Sequence, residues 1–172
     1  MAHLHFNLTS MKITDDYVFF WGSKLSNFEL CPIEYLEQHF VCSEQIFMYC
    51  KALHFHDEDS AILIQQAQTP HEAKRLGRGV KGFDSAEWDR VKYHYMMEAI
   101  TAKFTQNPTL KSWFLDSRFD GKQFVEASPV DSIWGIGMAE NNPDLLDTSR
   151  WGQNLLGKAL TELRDKLKRE NN

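Results

Sequence analysis

Apolar residues along this chain follow two spacings. Tyr17-Val18-Phe19-Phe20-Trp21 is contiguous and stops at Gly22-Ser23, the mark of a short buried strand. Cys31-Pro32-Ile33 opens a second extended piece that reaches Phe40 or Val41. Helical spacing then takes over. Ser43 reads as an N-cap with Glu44 in the first turn, followed by Ile46, Phe47, Cys50 and Leu53 on one face. A second helix is expected over about Asp59 to Ala67, carrying Ala61, Ile62 and Ile64. Thr69 caps a third, with Pro70 at its first position, and Gly77-Arg78-Gly79 ends it after about Leu76. The longest helix runs from Ser85 to about Phe104; Trp88, Val91, Tyr95, Ala99, Ala102 and Lys103 lie on related faces, so it crosses the core. Asn107-Pro108 starts a short helix, Phe124-Val125-Glu126-Ala127 reads as a strand, and Trp134-Gly135-Ile136-Gly137 as a turn. Ser149-Arg150 leads into a closing helix to about Lys168, with Leu155, Leu156, Ala159, Leu160 and Leu163 inward. The pattern predicts an α+β fold, predominantly helical: one compact domain over residues 17–168 with a small sheet or hairpin, after an N-terminal extension of residues 1–16.

Composition narrows the function. The 172 residues are 42% hydrophobic and 13% aromatic, enough for a sizeable core. A formal net charge of -5 argues against non-specific duplex binding, which rests on clustered cations. Cys31, Cys42 and Cys50 form an odd set without paired spacing, which suits reduced thiols and a cytoplasmic protein. No apolar run approaches membrane-spanning length, and no signal peptide opens the chain. Asn7-Leu8-Thr9 matches a glycosylation sequon with nothing else suggesting secretion.

Two stretches set carboxylates among apolar neighbours, where charge is costly to hold: Ser43 to Ala52 and Val125 to Gly137. In the first, Glu44 and Lys51 are seven residues apart, two helical turns and roughly 10 Å along one stripe. They read as groups reaching into one groove or as two solvated charges. In the second, Glu126 and Asp131 suit the breaking of a glycosidic bond, where one carboxylate stabilises positive charge on the anomeric carbon and a second group moves a proton. Trp134 offers a stacking face, and Gly135 and Gly137 allow close backbone approach to a ligand. The alternative is a turn in which Asp131 caps a backbone N–H and Glu126 faces solvent. Lys74, Arg75 and Arg78 around Gly77 suit a phosphate, or else a basic helix end favoured by its dipole. Asn27 and Asn154 read as hydrogen-bonding partners for a sugar or base, against a turn-closing role for Asn27 and an outer-face position for Asn154. Cys50, His54 and His56 have partial zinc spacing but lack a fourth ligand, so no metal site is assigned.

Taken in order, several pieces resemble the NADAR family of YbiA-like N-glycosidases. They are Phe20 to Phe28, Ser43 to Phe55, Pro70 to Val80, Trp88, Lys103-Phe104, Phe124 to Gly137 and Asn154 to Arg164. The resemblance implies a compact, mostly helical hydrolase of ribose N-glycosidic bonds that needs no metal or other cofactor. Its substrate would be a small phosphorylated ribosyl compound of early riboflavin synthesis, with release of ribose 5-phosphate. The alternatives are removal of ADP-ribose from guanine in nucleic acid, or a non-catalytic module that binds NAD or ADP-ribose. No obligate protein partner is implied. Glu44, Lys51, Glu126 and Asp131 become the expected catalytic set, with Lys51 as a possible Schiff-base amine. Asn27, Lys74, Arg78, Trp88, Trp134 and Gly135 become the expected substrate-binding set. The chain departs from the family pattern in its N-terminal extension and in the Asn141 to Ser149 loop, which bears on substrate choice.

Overall fold

The computed structural model describes residues 11–171; the sequon and residues 1–10 of the expected extension lie outside the described residues. In chain order the elements are β1 (Lys12–Ile13), β2 (Tyr17–Phe20), β3 (Ile33–Tyr35), β4 (Gln38–Phe40), α1 (Ser43–His54), α2 (Glu58–Gln66), α3 (Pro70–Arg78), α4 (Ser85–Gln106), α5 (Pro108–Phe114), β5 (Gln123–Glu126) and α6 (Leu155–Glu170), with single 3-10 turns at Ser117–Phe119 and Thr148–Arg150. The fold is helix-dominated α+β, as its apolar spacing predicts. The described residues divide into two compact units, one of residues 11–26 and 119–161, the other of residues 27–118 and 162–171.

The first unit is built on a three-stranded sheet in the order β1-β2-β5. β1 pairs antiparallel with β2, and β2 pairs parallel with β5, setting Val18 opposite Phe124 and Phe20 opposite Glu126. Lys12 and Ile13 are therefore part of the sheet. One face of the sheet buries Phe19, Val125 and Ala127 against Ile136, Met138 and Leu145, with Tyr17 and Trp151 at its margin. The Asn141 to Ser149 loop is folded onto this core: Trp151 Nε1 donates to the Leu145 carbonyl (2.8 Å), and Arg150 pairs with Asp144.

The closing helix starts later than its sequence pattern suggests. Ser149 and Arg150 belong to a separate 3-10 turn, and the chain enters α6 through Asn154, in the left-handed region at φ 50°. Asn154 is buried, so neither of its sequence readings holds. Its Oδ1 accepts from Glu126 N (3.0 Å) and its Nδ2 donates to the Phe124 carbonyl (3.0 Å), clamping β5 from the side. Asn is among the few residues that tolerate this backbone conformation.

In the second unit, the extended piece from Cys31 to Val41 is a hairpin. β3 and β4 pair antiparallel around Leu36 and Glu37, both at positive φ (48° and 60°). A two-residue turn of this kind normally draws Asn or Gly, so its Leu-Glu sequence hid it. α1 also begins differently from expectation. Cys42 is its N-cap without a side-chain bond, and Ser43 is already helical. Capping comes from elsewhere in the chain: the Asn27 carbonyl accepts from Glu44 N (3.1 Å), and Asn27 Oδ1 accepts from Ser43 Oγ (2.8 Å). Buried Gln45 ties α1 to the end of α2 by donating to the carbonyls of Ile64 and Ala67. α2, α3 and α4 are capped by Asp57, Thr69 and Asp84 in turn. α3 continues through Gly77 to Arg78. A Cβ at 77 would lie 2.0 Å from Met48 Sδ, so glycine is what lets α3 pack on α1 there. Leu53, read as inward, is partly exposed at the end of α1.

Lys103 of α4 is 1% exposed, and burial lowers its pKa to about 8. The unfolded chain then holds this proton more tightly than the folded one. Its destabilising contribution is full below pH 8 and is relieved as pH rises toward the unfolded value of about 10.4. Urea titrations of wild type and Lys103→Met should show the stability difference shifting in favour of wild type across that window, by at most about 1.4 kcal/mol per pH unit. A second prediction concerns the clamp. Asn154→Ala removes both bonds to β5 and puts at positive φ a residue that tolerates it less well than asparagine, and should cost about 2–4 kcal/mol in chemical denaturation.

Candidate active site

Within the second unit, α1, α3, α4 and the segment between α3 and α4 surround one amine. Lys51 projects from the last turn of α1 and is half-buried. Its Nζ donates to the Gly77 carbonyl (2.9 Å), lies 4.4 Å from the centre of the Phe83 ring and 5.9 Å from that of Trp88. Burial lowers the Lys51 pKa below its ordinary value, and the Glu44 carboxylate opposes that shift. Glu44 is itself only 7% exposed. The two residues therefore share an environment, and solvated charges on an outer face is not what α1 presents.

Trp88 is buried and fixed from several sides. It stacks on Tyr95 (5.9 Å, 17°) and packs on Phe47 at 5.2 Å. Tyr95 and Glu87 hold the two nitrogens of His54, at 2.9 Å from Nδ1 and 3.0 Å from Nε2. Cys50 lies 3.5 Å from the Tyr35 hydroxyl, so Cys50 and His54 are each engaged with different partners. On α3, Lys74 stands 5.4 Å over the Phe28 ring, and Arg78 is exposed in the last turn beside the dipole end it favours. Asn27 is buried against Ser43 and Met96, so its side chain organises the start of α1.

The first unit carries the second stretch. Glu126 ends β5, half-buried. The chain then folds back: Ile136 N donates to the Glu126 carbonyl (3.0 Å) and Gly137 N to the Asp131 carbonyl (2.9 Å). Asp131 Oδ1 accepts from both Ile133 N and Trp134 N at 2.9 Å. Asp131 thus caps the turn, one of the two roles its context left open. Gly135 has a structural reason as well. A Cβ there would meet the Glu126 carbonyl at 2.7 Å and the Asp131 carbonyl at 2.9 Å, so its close approach is to the loop's own backbone. Gly137 adopts φ 69°, which favours glycine. Trp134 is half-buried in this loop.

The NADAR domain model matches residues 13–168. The chain belongs to the NADAR domain family. N-glycosidase R617 of Acanthamoeba polyphaga mimivirus is 34% identical over 166 residues, 88% of this chain and 96% of that protein. N-glycosidase YbiA of Escherichia coli is 31% identical over 154 residues, 90% of this chain and 84% of that one. The solved NMR structure of E. coli YbiA superposes with a TM-score of 0.74 at 28% identity, covering 93% of this chain and 89% of the other. A shorter match, 34% over 105 residues, is to the Arabidopsis thaliana chloroplastic riboflavin biosynthesis protein PYRR; it takes in 59% of this chain and 16% of that protein.

This NADAR chain gathers Glu44, Lys51 and Trp88 within one unit, and Glu126, Asp131, Trp134 and Gly135 within one loop of the other. The sequence reading missed Phe83 and the Gly77 carbonyl, both of which sit against the Lys51 amine. Phe83 had one signal, an aromatic between Gly82 and the helix cap Asp84; the carbonyl had none. Among the described residues, no group of three or more His, Cys, Asp or Glu is placed to hold a metal ion, and no helix is long and apolar enough to cross a membrane. The capping geometry separates two variants of Asp131. Asp131→Asn keeps an Oδ1 acceptor and should cost well under 1 kcal/mol in thermal or chemical denaturation, whereas Asp131→Ala should cost about 1–2 kcal/mol.

Proposed function

We propose that this NADAR N-glycosidase cleaves the ribose N-glycosidic bond of a small phosphorylated intermediate of riboflavin synthesis in the cytoplasm. Water is added, the base leaves with a proton, and ribose 5-phosphate is released. The observation that carries the reading is the Lys51 amine: burial lowers its pKa, so more of it is uncharged at neutral pH than for an exposed lysine. A neutral amine can attack C1 of the ring-opened sugar and expel the base, leaving an imine that water then hydrolyses. Glu44, buried in the same environment, is suited to move the protons of those steps. By its sequence context Glu126 is the candidate for stabilising positive charge at the anomeric carbon, and Asp131 holds the loop that follows it. Lys74 and Arg78 are the cations assigned to the phosphate, and Trp88 the aromatic wall beside the amine.

The test is release of free base and ribose 5-phosphate from the pyrimidine ribosyl phosphates of flavin synthesis, followed by chromatography, with ADP-ribosyl-guanosine as a parallel substrate. Lys51→Ala should lose at least about 10³-fold in turnover, and Glu126→Gln about 10²–10⁴-fold, with Tm little changed. Borohydride added during turnover should leave a pentose phosphate adduct on Lys51. Full activity in a folded Lys51→Ala variant overturns the mechanism; turnover of the guanosine substrate alone overturns the substrate class.

A further inference from the structure

Phe83 plays no part in the reaction chemistry described above, and its position is unusual. It is a large apolar side chain, 46% exposed, yet held in place on both sides. Upstream, Lys81 N donates to Asp57 Oδ2 (2.8 Å) while Asp57 Oδ1 accepts from Ser60 N (3.1 Å), so one buried carboxylate staples this segment to the start of α2. Gly82 turns the chain at φ 72°. Downstream, Asp84 caps α4 by accepting from Glu87 N (2.7 Å). The ring rests on Phe55 (5.4 Å between centres), and its face lies 4.4 Å from Lys51 Nζ. Solvent would otherwise reach the amine on that side, because Trp88 is further off and the Gly77 carbonyl accounts for a single N–H.

We infer that Phe83 is a positioning residue for Lys51: its ring, fixed by the Asp57 staple, shields the amine from water and so sets how readily it is uncharged. The inference rests on Lys51 being the reactive amine. Two effects of the ring oppose each other. Its negative face favours the cation, and its bulk removes water that the cation needs. Burial is the largest cause of the downward shift of Lys51, and the response of the amine to loss of the ring decides which of the two effects prevails. The elements packed about the amine carry Glu44 and His54 on its own helix, Lys74 and Arg78 on α3, Lys81 on the stapled segment and Glu87 on α4. Among them Glu44 is the one whose charge moves Lys51.

A direct measurement reads the amine without substrate. The whole protein is labelled with trace acetic anhydride across pH 6 to 11, and acetylation of Lys51 is quantified by peptide mass spectrometry. Phe83→Ala should raise the labelling midpoint by about one pH unit. Phe83→Leu keeps an apolar cover without a ring face, and its midpoint should stay at or fall below that of wild type. Thermal melts confirm folding, which a half-exposed side chain should not control. If Phe83→Ala leaves the midpoint unmoved, or if both variants shift alike, the shield is refuted. Base release measured beside it keeps the two claims apart. A moved midpoint in a protein that releases no base sinks the proposed reaction alone, and an unmoved midpoint in an active enzyme sinks the shield alone.

Discussion

An ammonium costs free energy wherever water is stripped from it, and Lys51 is held half out of water between two aromatic rings and a helix carbonyl. That cost has to be met by the fold around it. α1 is buried over most of its first two turns, from Ser43 to Met48, which removes any freedom for the helix to rotate its lysine into solvent. The start of α1 is secured by Asn27 and the side of the helix by Gln45, both of which satisfy backbone groups that burial would otherwise leave costly. The strain on the amine is therefore electrostatic. Glu44 limits the strain, pulling the pKa up while burial pulls it down.

The first unit solves a different problem with similar means. A carboxylate at the end of β5 has to be held beside a sharply folded loop. The loop is fixed by main-chain bonds from Ile136 and Gly137, by the Asp131 cap and by the Asn154 clamp on the strand. Apolar packing of Ile136 and Met138 is joined here by backbone satisfaction: Asp131 accepts twice, and Asn154 accepts once and donates once. Such an arrangement fixes direction more tightly than hydrophobic contact, which has no preferred angle.

How much of this was legible in the chain depends on how local the cause is. α3 was readable because its cap, Thr69 with Pro70, acts within one turn, and α4 because its long apolar spacing starts at Ser85. Strands β2 and β5 were readable as short apolar runs. The hairpin turn at Leu36 and Glu37 was not, since neither residue type advertises positive φ. Ser43 looked like a cap because nothing in its own neighbourhood says that Asn27 serves instead. Glu44 and Lys51 could be placed on one stripe from helical spacing. The rings and carbonyl around the amine could not, because residues 77, 83 and 88 reach it only through tertiary packing. Asp131 had two readings, and the loop's folding back supplies the capping one.

Position 77 has no side chain and takes no part in any proton transfer, yet its carbonyl grips the amine and its bare α-carbon is where Met48 lodges. Alanine at 77 would require Met48 to turn aside, or α3 to shift and carry that carbonyl with it. The two positions are therefore coupled in inheritance: what stands at 48 sets the room left at 77.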